Sequence, residues 1–369
     1  MTCVAGHHTI GVMNNVSRRN ALFAMAGAAW LSKRADAAED PWSRLPAILK
    51  RIQPPKFPNR DFEITRFGAK EGGKIDSTEA FRNAIDEAVK AGGGRVLVPE
   101  GVFLTGAIHL KTGVNLLVPK GATIKFNPNP KLYPIVLTRF EGLECMNFSP
   151  FVYALDQRNI AITGGGTLDG QSSCDHWWPW SGKGGCGTSP GNQRKARQAL
   201  MDMAEKGVPV EKRVFGEDAY LRPMFVQPYR CTNVLIEDIT ITNSPMYELH
   251  PVLCNNVTVR GVTVSSHGPN NDGCDPESSV DVLIDRCTFD TGDDCIAIKS
   301  GRNADGRRLN RPSENIVVQN CNVKDGHGGV TLGSECSGHI RNVFAQDCKM
   351  DSPSLDRVLR FKNNAIRGG

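Results

Sequence analysis

A short apolar pattern repeats five times along the second half of the chain and limits the folds that the chain can adopt. Each copy begins at an Asn or Asp and places apolar residues one, three, six and eight positions further on. The anchors are Asn233, Asn256, Asp281, Asn315 and Asn342, and an imperfect earlier copy begins at Asn159. A unit this short cannot bury its own apolar face, so successive units are expected to stack into a solenoid.

The residues between the anchors predict that the stacked units are β-strands. Short β-branched runs alternate with Gly, Asn and Asp turns, as at 96–98, 102–104, 114–118 and 122–126, and 38 of the 369 residues are Gly. One amphipathic helix is predicted from Ser77 to Ala91, because its apolar residues have helical spacing and three glycines follow. No second helix alternates with the strands, so an all-β parallel solenoid is expected rather than a doubly wound sheet.

Three of the 12 cysteines occupy an apolar position of the repeat. Cys287, Cys321 and Cys348 occupy the slot six positions after the anchor, where earlier copies have Ile or Val. We therefore expect them to pack in the core rather than bind a metal. The chain also lacks the Cys-x-x-Cys pairs that are typical of zinc sites.

The first 37 residues are predicted to be an export signal. Arg18-Arg19 precedes an apolar run from Ala21 to Leu31, and a small-residue cleavage site follows at 35–37. The arginine pair resembles the start of a twin-arginine signal, and a membrane anchor is the alternative. Without this segment the formal charge of +5 falls to +2, which argues against nucleic acid as the main partner. A periplasmic or secreted protein, free of the membrane after cleavage, is expected.

Polar residues follow four consecutive units at equivalent places. A stacked solenoid would bring them about 5 Å apart along one face. In chain order they are Asn270-Asn271-Asp272, Gly292-Asp293-Asp294, Gly326-His327-Gly328 and Arg360-Phe361-Lys362. Each motif alone also fits a turn, whereas the set together indicates a site. Clustered aspartates are also found in calcium sites, but the two nearby cations argue against one; no metal and no cofactor are predicted.

These four motifs, in this order, resemble those of glycoside hydrolase family 28, the polygalacturonase-like enzymes of pectin breakdown. The family signatures are Asn-Thr-Asp, Gly-Asp-Asp, Gly-His-Gly and Arg-Ile-Lys, so the chain differs only in two middle residues. The resemblance covers the chain from about Phe67 onward. It implies a right-handed parallel β-helix that hydrolyses α-1,4-galacturonosidic bonds in polygalacturonate with inversion, with pectic polysaccharide as its substrate. The sequence does not determine the oligomeric state, and a monomer is expected. Rhamnogalacturonan and xylogalacturonan remain alternative substrates.

The resemblance also implies catalytic roles. Asp293 would be the general acid, Asp272 and Asp294 would position the attacking water, and His327 would hydrogen-bond the acid. Since three crowded carboxyl groups do not all ionise easily, at least one of their pKa values should be raised.

Further residues are expected to bind the substrate. Arg360 and Lys362 would hold a galacturonate carboxylate, and Asn270 would orient the acids. Lys299 and His250 are candidates for contacts with further parts of the substrate. A solvated surface charge is the alternative for Lys299, and a hydrogen-bonded turn histidine is the alternative for His250.

The remaining segments complete the predicted organisation. Residues 38–60 form a proline-rich linker or packing tail, and 61–369 form one β-helix domain with an insertion at 171–222. The insertion would wall one end of the cleft and favour attack at chain ends. Its tryptophans, Trp177, Trp178 and Trp180, would stack on sugars or cap the core.

One further expectation concerns the length of the chain, and two alternatives concern its function. Family members continue beyond the Arg-x-Lys motif, so a C-terminally incomplete chain is expected. The two alternative functions are a polyuronate lyase and a non-catalytic glycan-binding solenoid.

Overall fold

The computed structural model describes residues 40–183, 185–186 and 191–369. The predicted export signal lies outside the described residues. The chain divides after Arg44 into two units; the N-terminal unit contains a 3-10 helix at Pro41–Arg44, and Leu45–Gly369 forms the main unit. None of the helices in the described ranges is both long and apolar enough to span a bilayer.

The main unit is a parallel β-helix, as predicted, whose coils contribute strands to three sheets. The first sheet consists of Asp61–Glu63, Gly94–Leu97, Val114–Leu117, Arg158–Thr163, Thr232–Glu237, Asn255–Arg260, Val280–Asp285, Ser313–Gln319 and Ile340–Gln346. The second sheet consists of Gly101–Thr105, Ala122–Phe126, Thr167–Asp169, Thr240–Thr242, Thr263–Ser266, Thr288–Thr291, Asn322–Gly326 and Ser354–Leu355.

The third sheet contains the strands that lie next to the polar motifs. Its strands are Ile108–His109, Val152–Leu155, Val226–Tyr229, Ile296–Ile298, Val330–Gly333 and Leu359–Lys362. Isolated bridges at 249–252 and 274–277 join the strands on either side of them. Equivalent positions of successive coils are therefore neighbours along this sheet.

The sequence repeat is the register of the first sheet. The first apolar slot pairs across neighbouring strands as Val234, Val257, Val282, Ile316 and Val343. The anchors all adopt positive φ, between 54° and 59°, a conformation that Asn and Asp tolerate better than most residues. Their amides also bond along the stack, since Asn256 Nδ2 donates to Asn233 Oδ1 at 2.8 Å. The anchors therefore recur because both the backbone and the ladder need them.

The interior of the β-helix is apolar and includes the predicted cysteines. Cys287 and Cys321 are buried in the core, and Cys348 is half-buried against it. This confirms the prediction that they are packing residues. A disulfide between Cys174 and Cys186, which the sequence analysis did not predict, lies in the 171–222 segment.

Four α-helices occur in the described residues: α1 (Leu45–Arg51), α2 (Thr78–Lys90), α3 (Arg194–Glu205) and α4 (Asn303–Leu309). Helix α2 confirms the predicted helix. Its N-cap residue, Ser77, makes no capping hydrogen bond with its side chain. Instead, Asp76 Oδ1 accepts a hydrogen bond from the Thr78 amide at 3.0 Å. Its buried face packs on the interior of the β-helix. Further 3-10 turns are Ile64–Phe67, Pro130–Leu132, Trp178–Ser181, Val210–Lys212 and Glu217–Ala219.

An antiparallel hairpin, Ile135–Phe140 and Leu143–Phe148, interrupts the coils. Together with α3 it forms a second apolar cluster outside the β-helix interior. Phe140, Leu143 and Leu200 are buried there with Tyr247, which comes from the turn before the third sheet. The hairpin was missed because its apolar runs resemble those of the coils.

Candidate active site

The third sheet brings the four polar motifs together. Cys274, Ile296, Val330 and Leu359 are paired neighbours on successive coils. The motif residues are close in sequence to these paired positions. The four motifs therefore lie on adjacent coils. The Gly273 amide, for example, donates to the carbonyl of Asp294 at 3.0 Å. Sequence offset within the repeat is thus converted into spatial proximity.

Three carboxyl groups meet at the centre of the site. One oxygen from each of Asp272, Asp293 and Asp294 lies within 4.8 Å of the other two. Asp272 and Asp294 are buried, whereas Asp293 is partly exposed and borders the solvent. We call this group the acid triad. The structure therefore brings the three predicted acids together.

Asp293 is held through one of its two oxygens. Its Oδ1 lies 3.1 Å from His327 Nδ1 and accepts a hydrogen bond from the Asp294 amide at 3.0 Å. The His327 ring is about half exposed, at 51%. His327 and the Asp294 amide therefore both contact Oδ1, and neither contacts the other oxygen, Oδ2.

Asp294 is paired with both predicted cations. Arg360 Nη1 donates to Oδ1 at 3.1 Å, and Lys362 Nζ donates to Oδ2 at 2.8 Å. Burial of Asp294 opposes its ionisation, but Lys362, with Lys299 and Arg360, outweighs that effect and holds its pKa below the usual value. Asp294 is therefore a carboxylate in the free protein.

Asp272 is in the opposite electrostatic situation. Burial and the charges of Asp275 and Asp293 raise its pKa well above the usual value, and the charge of Lys299 offsets this only in part. Its Oδ1 has no hydrogen-bond partner within the described part of the chain. One raised pKa in the acid triad was expected from crowding, and it falls on Asp272.

Lys299 lies beneath the acid triad and does not face the cleft. Its side chain is 2% exposed, and its Nζ lies 3.6 Å from Asp272, 3.8 Å from Asp275 and 3.4 Å from Glu335. The prediction that Lys299 contacts substrate is therefore wrong. Burial would lower the pKa of Lys299, but Tyr247 and the surrounding acids outweigh it and raise it, so Lys299 is a buried countercharge.

His250 does not line the cleft either. It is fully buried, with Nδ1 3.0 Å from Gln227 Nε2 and Nε2 2.8 Å from Glu277 Oε2. Glu277 is in turn paired with the buried Arg139 of the hairpin, 3.1 Å away. The prediction of a substrate contact for His250 is wrong because the hairpin covers this part of the third sheet.

Asn270 lies at the rim of the acid triad and is held by a residue that the sequence analysis missed. Its Oδ1 accepts a hydrogen bond from Arg222 Nη2 at 2.9 Å. Arg222 is fully buried and also donates to the carbonyls of Pro245 and Pro269. Burial lowers the pKa of Arg222 to about 10. Arg222 belongs to no repeat, so no sequence pattern pointed to it.

The tryptophans of the 171–222 segment pack largely against protein. Trp177 is 2% exposed and its ring lies 5.8 Å from that of Phe151. Trp178 Nε1 donates to the carbonyl of Ser244 at 2.8 Å. Of the two predicted alternatives, core capping describes Trp177.

Two groups of described residues bring three possible metal ligands together: the acid triad, and His267 with Asp290 and Asp325. In both groups a carboxylate already has a partner. Asp294 pairs with two cations, and Asp290 Oδ1 lies 2.9 Å from His267 Nε2. The donor sets therefore do not by themselves indicate a metal site.

Comparisons with known proteins show which proteins this chain resembles. The family model for glycosyl hydrolases family 28 matches residues 213–365, a stretch that contains all four motifs. A hyperthermoactive exopolygalacturonase from Thermotoga maritima is 52% identical in sequence, with a TM-score of 0.86 over 89% of this chain and 74% of that chain.

Two sequence relatives are more distant. A probable polygalacturonase of Vitis vinifera is 26% identical over 318 residues, covering 83% of this chain and 57% of the relative. An exo-poly-alpha-D-galacturonosidase of Dickeya chrysanthemi is 28% identical over 325 residues, covering 83% of this chain and 52% of the relative. The chain thus spans about half the length of these two relatives.

Proposed function

The chain belongs to glycoside hydrolase family 28, and from this membership we propose that it hydrolyses α-1,4-galacturonosidic bonds in polygalacturonate. One observation carries the proposal: the acid triad lies beside an imidazole at Asp293 and two cations at Asp294. Such a site supplies an acid, a base and a binding group for a uronate carboxylate. The names of its relatives, several of them polygalacturonases, support the same substrate.

The contacts suggest how protons move during the reaction. Burial and the charges of Asp275 and Asp293 raise the pKa of Asp272, so Asp272 carries a proton beside Asp293. This proton passes through Asp293 to the glycosidic oxygen as the bond to the anomeric carbon breaks. Asp294, already ionised, accepts a proton from the attacking water. The acid triad therefore ends the reaction with as many protons as it had at the start.

The close spacing of the acid triad bears on the stereochemistry. Two-carboxylate enzymes that invert place their carboxyl groups about 6.5–9.5 Å apart, and those that retain place them about 5–5.5 Å apart. Here the nearest oxygens lie within 4.8 Å. We nevertheless propose inversion, because this site has three carboxyl groups rather than two. Asp272 and Asp294 can hold the attacking water while Asp293 acts as the acid, so the spacing expected for two carboxyl groups does not apply.

The substrate carboxylate would bind at Arg360 and Lys362. Each of these side chains is 27% exposed, so both reach the cleft while they contact Asp294. A galacturonate carboxylate would share their hydrogen-bond donors with Asp294. The arginine offers a fork of donors and the lysine a point charge.

We propose that the enzyme acts from chain ends. The hairpin and α3 pack together outside the β-helix, and Tyr247 joins their apolar cluster to the turn before the third sheet. We propose that the hairpin and α3 block one end of the cleft, so that the polysaccharide cannot pass through and is shortened from one end. Export through the signal at residues 1–37, to the periplasm or outside the cell, belongs to the same proposal.

Product analysis on polygalacturonate tests the proposed function. The wild type should release saturated galacturonate from the start, with little early loss of viscosity. Asp293→Asn should lower the rate by at least about 100-fold because the general acid is lost. Asp351→Asn, at a carboxylate that is 75% exposed, serves as the matched control and should behave as wild type. An unsaturated, ultraviolet-absorbing product, or full activity of Asp293→Asn, would contradict the proposal.

A further inference from the structure

A lysine from the 171–222 segment reaches the acid triad from outside the repeat. Lys183 Nζ lies 3.9 Å from Asp293 Oδ2. This is the oxygen that His327 and the Asp294 amide leave unoccupied, since both contact Oδ1. The Lys183 side chain is 54% exposed, so its ammonium group is open to a ligand in the cleft.

The backbone that carries Lys183 is anchored although the side chain is exposed. We call residues 173–183 the tryptophan segment. Trp177 is buried in the core and Trp178 Nε1 donates to the carbonyl of Ser244. The Lys183 amide donates to Oγ of the buried Ser181 at 3.1 Å. A cation on such a support has a defined place beside the acid triad.

The tryptophan segment also contacts the strand connection that leads to the acid triad. The Gly268 backbone lies against the Trp178 ring so closely that a Cβ at Gly268 would clash with Trp178 Nε1. Gly268 precedes Asn270 and Asp272 by only a few residues. The disulfide between Cys174 and Cys186 ties the segment a second time.

The cations of the site that are exposed to the cleft lie at two different members of the acid triad, whereas Lys299 beside Asp272 is buried. Arg360 and Lys362 bind the carboxylate of Asp294, whereas Lys183 lies at Asp293. Every sugar of polygalacturonate carries a carboxylate, so the two sugars joined by the scissile bond present two. Each therefore requires its own positive partner if the cleft is to bind unesterified substrate.

We propose that Lys183 binds the carboxylate of the galacturonate on the side of the scissile bond opposite to the one held by Arg360 and Lys362. Lys183 thereby makes the enzyme selective for an unesterified sugar at that position. This inference rests on the proposed function. Because a lysine ammonium is a point charge that does not impose an orientation, its removal weakens binding more than it slows the chemical step.

Steady-state kinetics on trigalacturonate and its single methyl esters tests this role. Lys183→Met should raise KM roughly fivefold, the upper range for a partly exposed ion pair, with kcat within about twofold. Lys183→Arg should remain near wild type. In the wild type, one methyl ester should raise KM by a similar factor, and the same ester should have no further effect in Lys183→Met. Lys206→Met, at an exposed lysine after α3, is the matched control.

Two results would overturn the inference. One is an unchanged KM of Lys183→Met for every substrate. The other is a combination of two observations: Lys183→Met shifts the pH profile of kcat/KM, and each methyl ester affects wild type and variant equally. Lys183 would then act only on Asp293. The product of the wild type is measured first. If it is not saturated galacturonate, the proposed function itself is refuted. If it is saturated galacturonate and one of the two results above is found, only the role of Lys183 is refuted.

Discussion

The carboxyl groups of the acid triad differ in their charged neighbours, and this separates their protonation. Asp294 touches Arg360 and Lys362 and is ionised. Asp272 is buried, and among the described residues its ion pair is with Lys299 at 3.6 Å, a cation that Asp275 and Glu335 share. An acid and a base can therefore coexist in one site at one pH. The buried position of Asp272 lowers the stability of the folded protein, since a buried carboxylate without full hydrogen bonding disfavours the folded state.

Asp272→Asn is predicted to lose activity but gain stability. Because the folded-state pKa of Asp272 is raised, the folded protein binds more protons than the unfolded chain once the pH exceeds the unfolded value of about 4. Wild-type stability should therefore fall relative to the variant as the pH rises from 4 to 7. At pH 7 the variant should be more stable by roughly 1–3 kcal/mol in urea unfolding.

The control for this prediction is Asp351→Asn, whose exposed carboxylate should leave stability within about 0.5 kcal/mol of wild type. A stability difference between Asp272→Asn and wild type that is zero at pH 7, or that shrinks as the pH rises, would show that Asp272 is not held in its neutral form by the fold.

At the level of elements, α1 stabilises the β-helix from outside. Its buried residues Leu45 and Ile48 pack with Val317 and Phe344 of the first sheet. Arg51 Nη2, at the end of α1, lies 2.9 Å from Asp281 Oδ1. Helix α1 thus contacts coils that follow it by more than 200 residues.

Ile48→Ala is predicted to destabilise the folded protein by about 2–4 kcal/mol, because it removes a side chain that is 2% exposed and leaves a cavity against the first sheet. Urea unfolding at pH 7 measures this effect. Lys50→Ala, on the exposed side of α1, is the control and should change stability by less than about 0.5 kcal/mol. Equal values for the two variants would mean that α1 does not contribute to the cooperative unit.

At the scale of the whole molecule, the repeat allowed much of the fold to be predicted from sequence. A constant offset within each coil becomes a constant position on a sheet, so the four motifs had to converge. The same reasoning gave no information on side chains outside the repeat. Arg222 and Lys183 come from the 171–222 segment, whose path no periodicity determines.

The two wrong site predictions share a physical cause. His250 and Lys299 belong to the third sheet, on which polar residues elsewhere face the cleft. Whether such a residue is exposed depends on what covers the sheet. Arg139, which pairs with Glu277 next to His250, lies more than 100 residues earlier in the chain. Periodicity indicates which face a residue occupies, and a covering segment then decides whether that face is open.

The stereochemistry of the first product tests the central claim most directly, namely that the acid triad performs inverting acid–base hydrolysis. Proton NMR of wild-type protein acting on trigalacturonate should show the β-anomer at the new reducing end before mutarotation, and Asp293→Asn should give no product on that timescale. An α-anomer appearing first would mean retention through a covalent intermediate, and an alkene proton would mean elimination; either spectrum would contradict the account.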